Sequence, residues 1–129
     1  MLEPIPPETE RVARAVLDAA FKVHSALGPG LLEQVYEACL CFELSKACLR
    51  FERQKTLPVL YESVRVDAGL RLDLLVEDAV IVELKSVQEI VPLHRAQVLT
   101  YLKLSGKRLG LLLNFNVVHM RDGIDRLVL

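Results

Sequence analysis

Between Glu10 and Leu27 apolar residues return at three- and four-residue steps: Val12, Val16, Ala20, Val23 and Leu27. That spacing lines one stripe of an α-helix. Gly28-Pro29-Gly30 ends it, because glycine frees the backbone and proline cannot continue the hydrogen-bond ladder. A second helix is predicted from Leu31 to Ala47, with Leu32, Val35, Tyr36, Cys39 and Phe42 on its inner stripe. From Phe51 the period changes. Phe51 to Leu60 reads as an extended edge segment, Pro58 arguing against a central strand, and Val64 and Val66 as a short strand beyond a turn.

Two stretches then alternate with period two: Leu70, Leu72 and Leu74 against Arg71, Asp73 and Leu75, and Val80, Val82 and Leu84 against Ile81, Glu83 and Lys85. Glu77-Asp78 between them signals a hairpin. Beyond Pro92 a third helix is expected from His94 to Ser105, stopped by Gly106. Leu109 to Phe115 is almost continuously apolar, as in a strand covered on both faces. Asp122-Gly123 marks a turn before a short last strand, Ile124 to Leu129. The order helix, helix, strands, helix, strand predicts an α/β fold, a mixed central sheet flanked by helices.

Composition narrows this picture. A chain of 129 residues, 52% hydrophobic, supports one core rather than two domains. We expect residues 1–9 to form a flexible leader and residues 10–129 a single domain. The first ten residues lack the basic start and apolar middle of a secretion signal, and no apolar run reaches a membrane span of ~20 residues. The expectation is a cytoplasmic protein with no membrane partner. Sixteen Lys and Arg against 17 Asp and Glu count against nonspecific coating of nucleic acid, which comes from neutralised phosphates. Cys39, Cys41 and Cys48 share one helical stretch and read as reduced, buried or half-buried thiols, since no second Cys or His pair gives zinc-ligand spacing. The absence of a G-x-x-x-x-G-K-(S/T) loop argues against an ATP motor.

The chemistry concentrates between Arg71 and Lys85. Asp73 lies inside one apolar strand, and Glu83 and Lys85 share a face of the next. Charges on such strands are costly unless paired, hydrated or metal-bound. Two adjacent carboxylates can bind Mg²⁺ (or Mn²⁺) through oxygen, and a lysine beside them can orient water or stabilise a phosphoryl oxygen. Register decides whether they meet. A three-residue loop, Glu77-Asp78-Ala79, sets Asp73 opposite Glu83; a two-residue loop at Glu77-Asp78 sets it opposite Val82, on the other face. We take the three-residue loop, partly on functional grounds. The plain alternative is an ordinary hairpin with solvated charges. Arg50, Arg53, Lys55, Arg65, Arg71 and Arg95 would make either a phosphate-facing rim or, preferred on spacing alone, a solvated surface.

Gly30-Leu-Leu-Glu33-Gln-Val-Tyr36 resembles the G-x-x-E-x-x-Y family, a branch similar to the PD-(D/E)xK nuclease-like superfamily. The resemblance continues through Arg71-Leu-Asp73, Ile81-Val-Glu83-Leu-Lys85-Ser-Val87, His94-Arg-Ala-Gln97, Leu99-Thr-Tyr101-Leu and Leu112-Leu-Asn114-Phe-Asn116. It departs at Ala68-Gly69-Leu70, where relatives tend to carry a second glycine and an aromatic residue. The resemblance implies a restriction-endonuclease-like core with Asp73 and Glu83 as metal ligands and Lys85 as the supporting base. It further implies Glu33 as an outer acidic contributor and Gln97 as a polar partner from the next helix. Tyr36 reads as a packing residue with a satisfied hydroxyl, Gly30 as relief for the helix junction, and His94 as a capping or surface residue.

Two functions follow from these residues. The leading one is a metal-dependent phosphodiesterase acting on DNA or RNA. Its rival is a noncatalytic scaffold of nuclease-like fold that binds nucleic acid or protein, with homodimerisation through an exposed apolar patch left open.

Overall fold

The computed structural model describes residues 3–129. Helix α1, Pro7–Leu27, begins three residues earlier than its periodicity indicates. Pro7 stands at the first helical position, where a missing N–H costs nothing, and Glu8 and Glu10 oppose the positive helix end. Val12, Val16, Ala20 and Val23 are buried as the spacing requires, whereas Leu27 is half out of the core.

Helix α2, Glu33–Lys46, corrects the expected stripe. Tyr36, Glu37, Leu40, Cys41 and Leu44 face inward, while Leu32 and Phe42 are 68% and 61% exposed. The helix is apolar on most of its circumference, so periodicity cannot choose a face. Tertiary contacts choose it: Tyr36 stacks on Phe115 with ring centroids 4.7 Å apart. Its hydroxyl donates to the Gly28 carbonyl at 2.6 Å and accepts the Leu31 N–H at 3.1 Å. Gly30 has φ 96° with open space around it, so the backbone conformation, rather than room for a side chain, calls for glycine. Of the three free cysteines, Cys41 is buried and Cys39 half-buried, but Cys48 lies beyond α2 and is exposed. Burial pushes the Cys41 thiol up to about 11.

Five strands follow: β1 (Phe51–Tyr61), β2 (Val64–Val76), β3 (Val80–Lys85), β4 (Leu109–Asn114) and β5 (Ile124–Val128), with α3 (Pro92–Ser105) between β3 and β4. They form one sheet in sequence order. All neighbours are antiparallel except β3 and β4, which α3 joins as a parallel crossover. This is the mixed sheet flanked by helices. Helices α1 and α2 cover one face through Leu74, Val82, Leu111 and Leu113; α3 covers the other through Val98 and Leu102 against Ile81 and Leu112. Among the described residues no helix is long and apolar enough to cross a membrane.

Strand β1 is the sheet edge, and Pro58 sits at an irregularity between Leu57 and Val59. Val64 and Val66 do not form a separate strand; they begin the 13-residue β2. Nor does β2 keep one apolar face. Leu70 and Leu72 pack with α3, whereas Leu74 and Val76 pack with α1 and α2. The reversal falls at Asp73. On β1 the residue between the partners of Leu72 and Leu74 is Gln54, whose φ of 50° interrupts the ladder.

Candidate carboxylate site

The β2–β3 ladder pairs Leu74 with Val82, Leu75 with Ile81 and Val76 with Val80. The loop is therefore Glu77-Asp78-Ala79, with Glu77 and Asp78 at φ 51° and 53° and the Ala79 N–H bonded to the Val76 carbonyl at 3.0 Å. One further step sets Asp73 across from Glu83. There the main-chain ladder stops and side chains take over. The Asp73 N–H donates to Glu83 Oε1 at 3.1 Å, and the Leu84 N–H donates to Asp73 Oδ2 at 2.9 Å. Each carboxylate thus holds the backbone of the strand opposite.

Glu83 is 4% exposed. Burial, then the charge of Asp73 and a hydrogen bond with it, push the Glu83 carboxyl up to about 9, against the opposing pull of Lys85. At neutral pH the pair therefore holds a proton. Lys85, half-buried, follows Glu83 by two residues on the same face of β3. Glu33, at the exposed start of α2, also has a raised carboxyl pKa, first through partial desolvation, then through Asp73, while Lys85 lowers it. From the opposite layer, α3 brings Tyr101. Its hydroxyl is raised by burial and by the charges of Glu83 and Asp73, with Gln97 opposing through a side-chain hydrogen bond and Arg71 through its charge. Glu33 on α2 and Gln97 on α3 stand on helices that cover opposite faces of the sheet, and among the described residues neither side chain is hydrogen-bonded to Asp73, Glu83 or Lys85.

Among the described residues, no three His, Cys, Asp or Glu side chains are grouped so as to hold a metal between them. The donors that do meet are the oxygens of Asp73 and Glu83, which with the shared proton displaced carry more negative charge than Lys85 offsets. Such a set suits a hard cation that keeps several waters, as Mg²⁺ does, once the proton is displaced.

Five of the six cations of the candidate rim are held by carboxylates. Arg50 pairs with Glu77, Arg53 with Glu37, Lys55 with Glu52, Arg65 with Asp67 and Arg95 with Asp125. Arg71 alone of the six lacks an ion pair among the described residues. His94 caps its helix, Nδ1 accepting the Val91 N–H at 3.2 Å.

Three supporting residues escape the sequence pattern. Buried Glu37 accepts Arg53 Nη2 at 3.0 Å and Gln54 Nε2 at 2.8 Å, tying α2 to the β1 irregularity opposite Asp73. Buried Asn114 accepts the Val87 N–H at 3.1 Å and donates to the Val87 carbonyl at 3.0 Å, fixing the chain just past Lys85. Ser86 Oγ donates to the Leu31 carbonyl at 2.6 Å, joining that chain to the loop before α2. Asn114 and Ser86 lie in segments that carry the family resemblance, and Asn114 also ends an apolar run; no signal marked Glu37.

Compared with known protein families, residues 10–127 match the model described as the PD-(D/E)XK nuclease superfamily. No curated protein and no solved structure matches the chain.

Proposed function

Because this chain belongs to the PD-(D/E)XK nuclease superfamily, we propose that it binds nucleic acid, meeting a backbone phosphate where β2 parts from β3. The observation that carries this reading is the meeting of Asp73, Glu83 and Lys85 in that gap, with Glu33 and Tyr101 arriving from opposite layers. Binding without turnover is favoured by the closed pair, in which Asp73 and Glu83 are engaged with strand backbone and each other, and by the lack of a three-donor group among the described residues.

The finer reading, proposed beside it, is metal-dependent phosphodiester hydrolysis. Asp73 and Glu83 would hold Mg²⁺ or Mn²⁺, which supplies charge for the phosphate and acidity for a bound water. Lys85 presents a cationic donor beside the carboxylates, suited to orienting a water or balancing charge on a phosphoryl oxygen. Glu33 adds an acceptor at the mouth of the gap. Gln97 would hold Tyr101 toward the same carboxylates, whose charges raise its hydroxyl pKa.

The test compares the native protein with Asp73→Ala, Glu83→Ala and Lys85→Ala on single- and double-stranded DNA and RNA, with and without chelator, after folding is verified. Metal-dependent cleavage lost in all three variants supports hydrolysis. Binding without cleavage on every substrate supports the binding reading alone. Absence of both would make a protein-interaction scaffold the better account.

A further inference from the structure

An open groove of about 600 Å³ is walled by Phe21, His24 and Gly28 on one side and Val118, His119 and Arg121 on the other. Its far wall is fixed by the fold: buried His24 places Nε2 2.8 Å from the Val117 carbonyl, pinning that segment to the end of α1. The near wall runs into the loop that the carboxylate strands hold. Gly28 accepts the Tyr36 hydroxyl, and three residues later the Leu31 carbonyl accepts Ser86 Oγ, the neighbour of Lys85.

Among the described residues the groove carries an unpaired cation, a feature it shares with the pocket at Lys103, but it alone of the two lies by the loop that is bonded to the neighbour of Lys85. Most Lys and Arg side chains are matched to carboxylates in ten ion pairs among the described residues. Arg121 is in none of them, and no Asp or Glu lines the groove. Phe21 and Val118, 41% and 79% exposed, add uncovered apolar surface beside Arg121. A cation for a phosphate and, next to it, an apolar and aromatic platform for a base are the two parts of a single-strand nucleotide site. The carbonyl end of α1 near Gly28 carries roughly half a negative charge. A phosphate is therefore drawn to Arg121 and His119, leaving the base toward Phe21.

We propose that this groove is a subsite for the nucleotide flanking the phosphate at Asp73 and Glu83, reached by a strand crossing the Gly28–Leu31 loop. The inference rests on the nucleic-acid reading above. Its test is binding of fluorescein-labelled single-stranded DNA and RNA 12-mers to the native protein and to Arg121→Ala, His119→Ala and Phe21→Ala. The arginine and histidine lie on the surface, so these variants should fold; thermal melts check it. Arg121→Ala should weaken binding several-fold and lower the slope of log affinity against log salt by about 1. Phe21→Ala should weaken it by about fivefold or more with the slope unchanged. Amide shifts on adding oligonucleotide should appear at Gly28, Met120 and Arg121 as well as near Lys85. Native binding that all three variants retain, with shifts confined to Lys85 and its neighbours, would overturn the subsite and leave the reading intact. No binding of either oligonucleotide by the native protein would overturn both.

Discussion

Glu83 keeps a proton in the folded chain that it would lose on unfolding. Its carboxyl titrates at about 9 in the fold and at about 4.3 in an open chain. Across that window the folded state binds the extra proton, so stability falls as pH rises. Urea midpoints at about pH 6 and about pH 8.5 should show this loss. Glu83→Gln, which cannot ionise and can still bond Asp73, should flatten the slope; an unchanged slope would mean another group sets it. Glu37 works differently. Glu37→Ala frees Arg53 and Gln54, which are exposed and regain water, so a loss of about 0.5–1.5 kcal/mol is expected. Faster amide exchange at Asp73 and Leu84 should accompany it, because the irregularity opposite Asp73 loses its tie to α2.

At the level of elements, α2 offers a direct contrast between its predicted and observed faces. Leu40 is fully buried and Phe42 is 61% exposed. Leu40→Ala should cost about 2–5 kcal/mol, whereas Phe42→Ser should stay within about 0.5 kcal/mol; urea denaturation of the two variants decides it. Much else was legible in the sequence. Period-two alternation located β2 and β3, the three-residue loop set their register, and Pro58 and Gly106 marked an edge strand and a helix end. What stayed hidden depends on partners distant along the chain. The face of α2 is set by Phe115, about eighty residues beyond Tyr36. The reversal of β2 is set by the left-handed backbone at Gln54 on the neighbouring strand, and strict alternation has no means of showing it. Arg53 is bound to Glu37, so composition could not tell a free phosphate-facing cation from a spent one.

Over the whole molecule, stability rests on two apolar layers about one sheet, while charge is largely cancelled pair by pair on the surface. Exposed pairs such as Arg11–Glu8 and Arg65–Asp67 contribute little. Raising salt from about 50 mM to about 500 mM should therefore move the urea midpoint only slightly; a large drop would show that the ion pairs hold the fold. The carboxylates that replace the ladder between β2 and β3 have a further consequence. Two acids are poor keepers of a strand junction, since an uncharged residue of the same shape would hold those amides without a trapped proton. Mutation with selection for heat resistance alone should thus replace Glu83 early, by glutamine foremost, and leave Leu74 and Val82 untouched. A lineage that kept both acids under such selection would be answering to something other than its own durability.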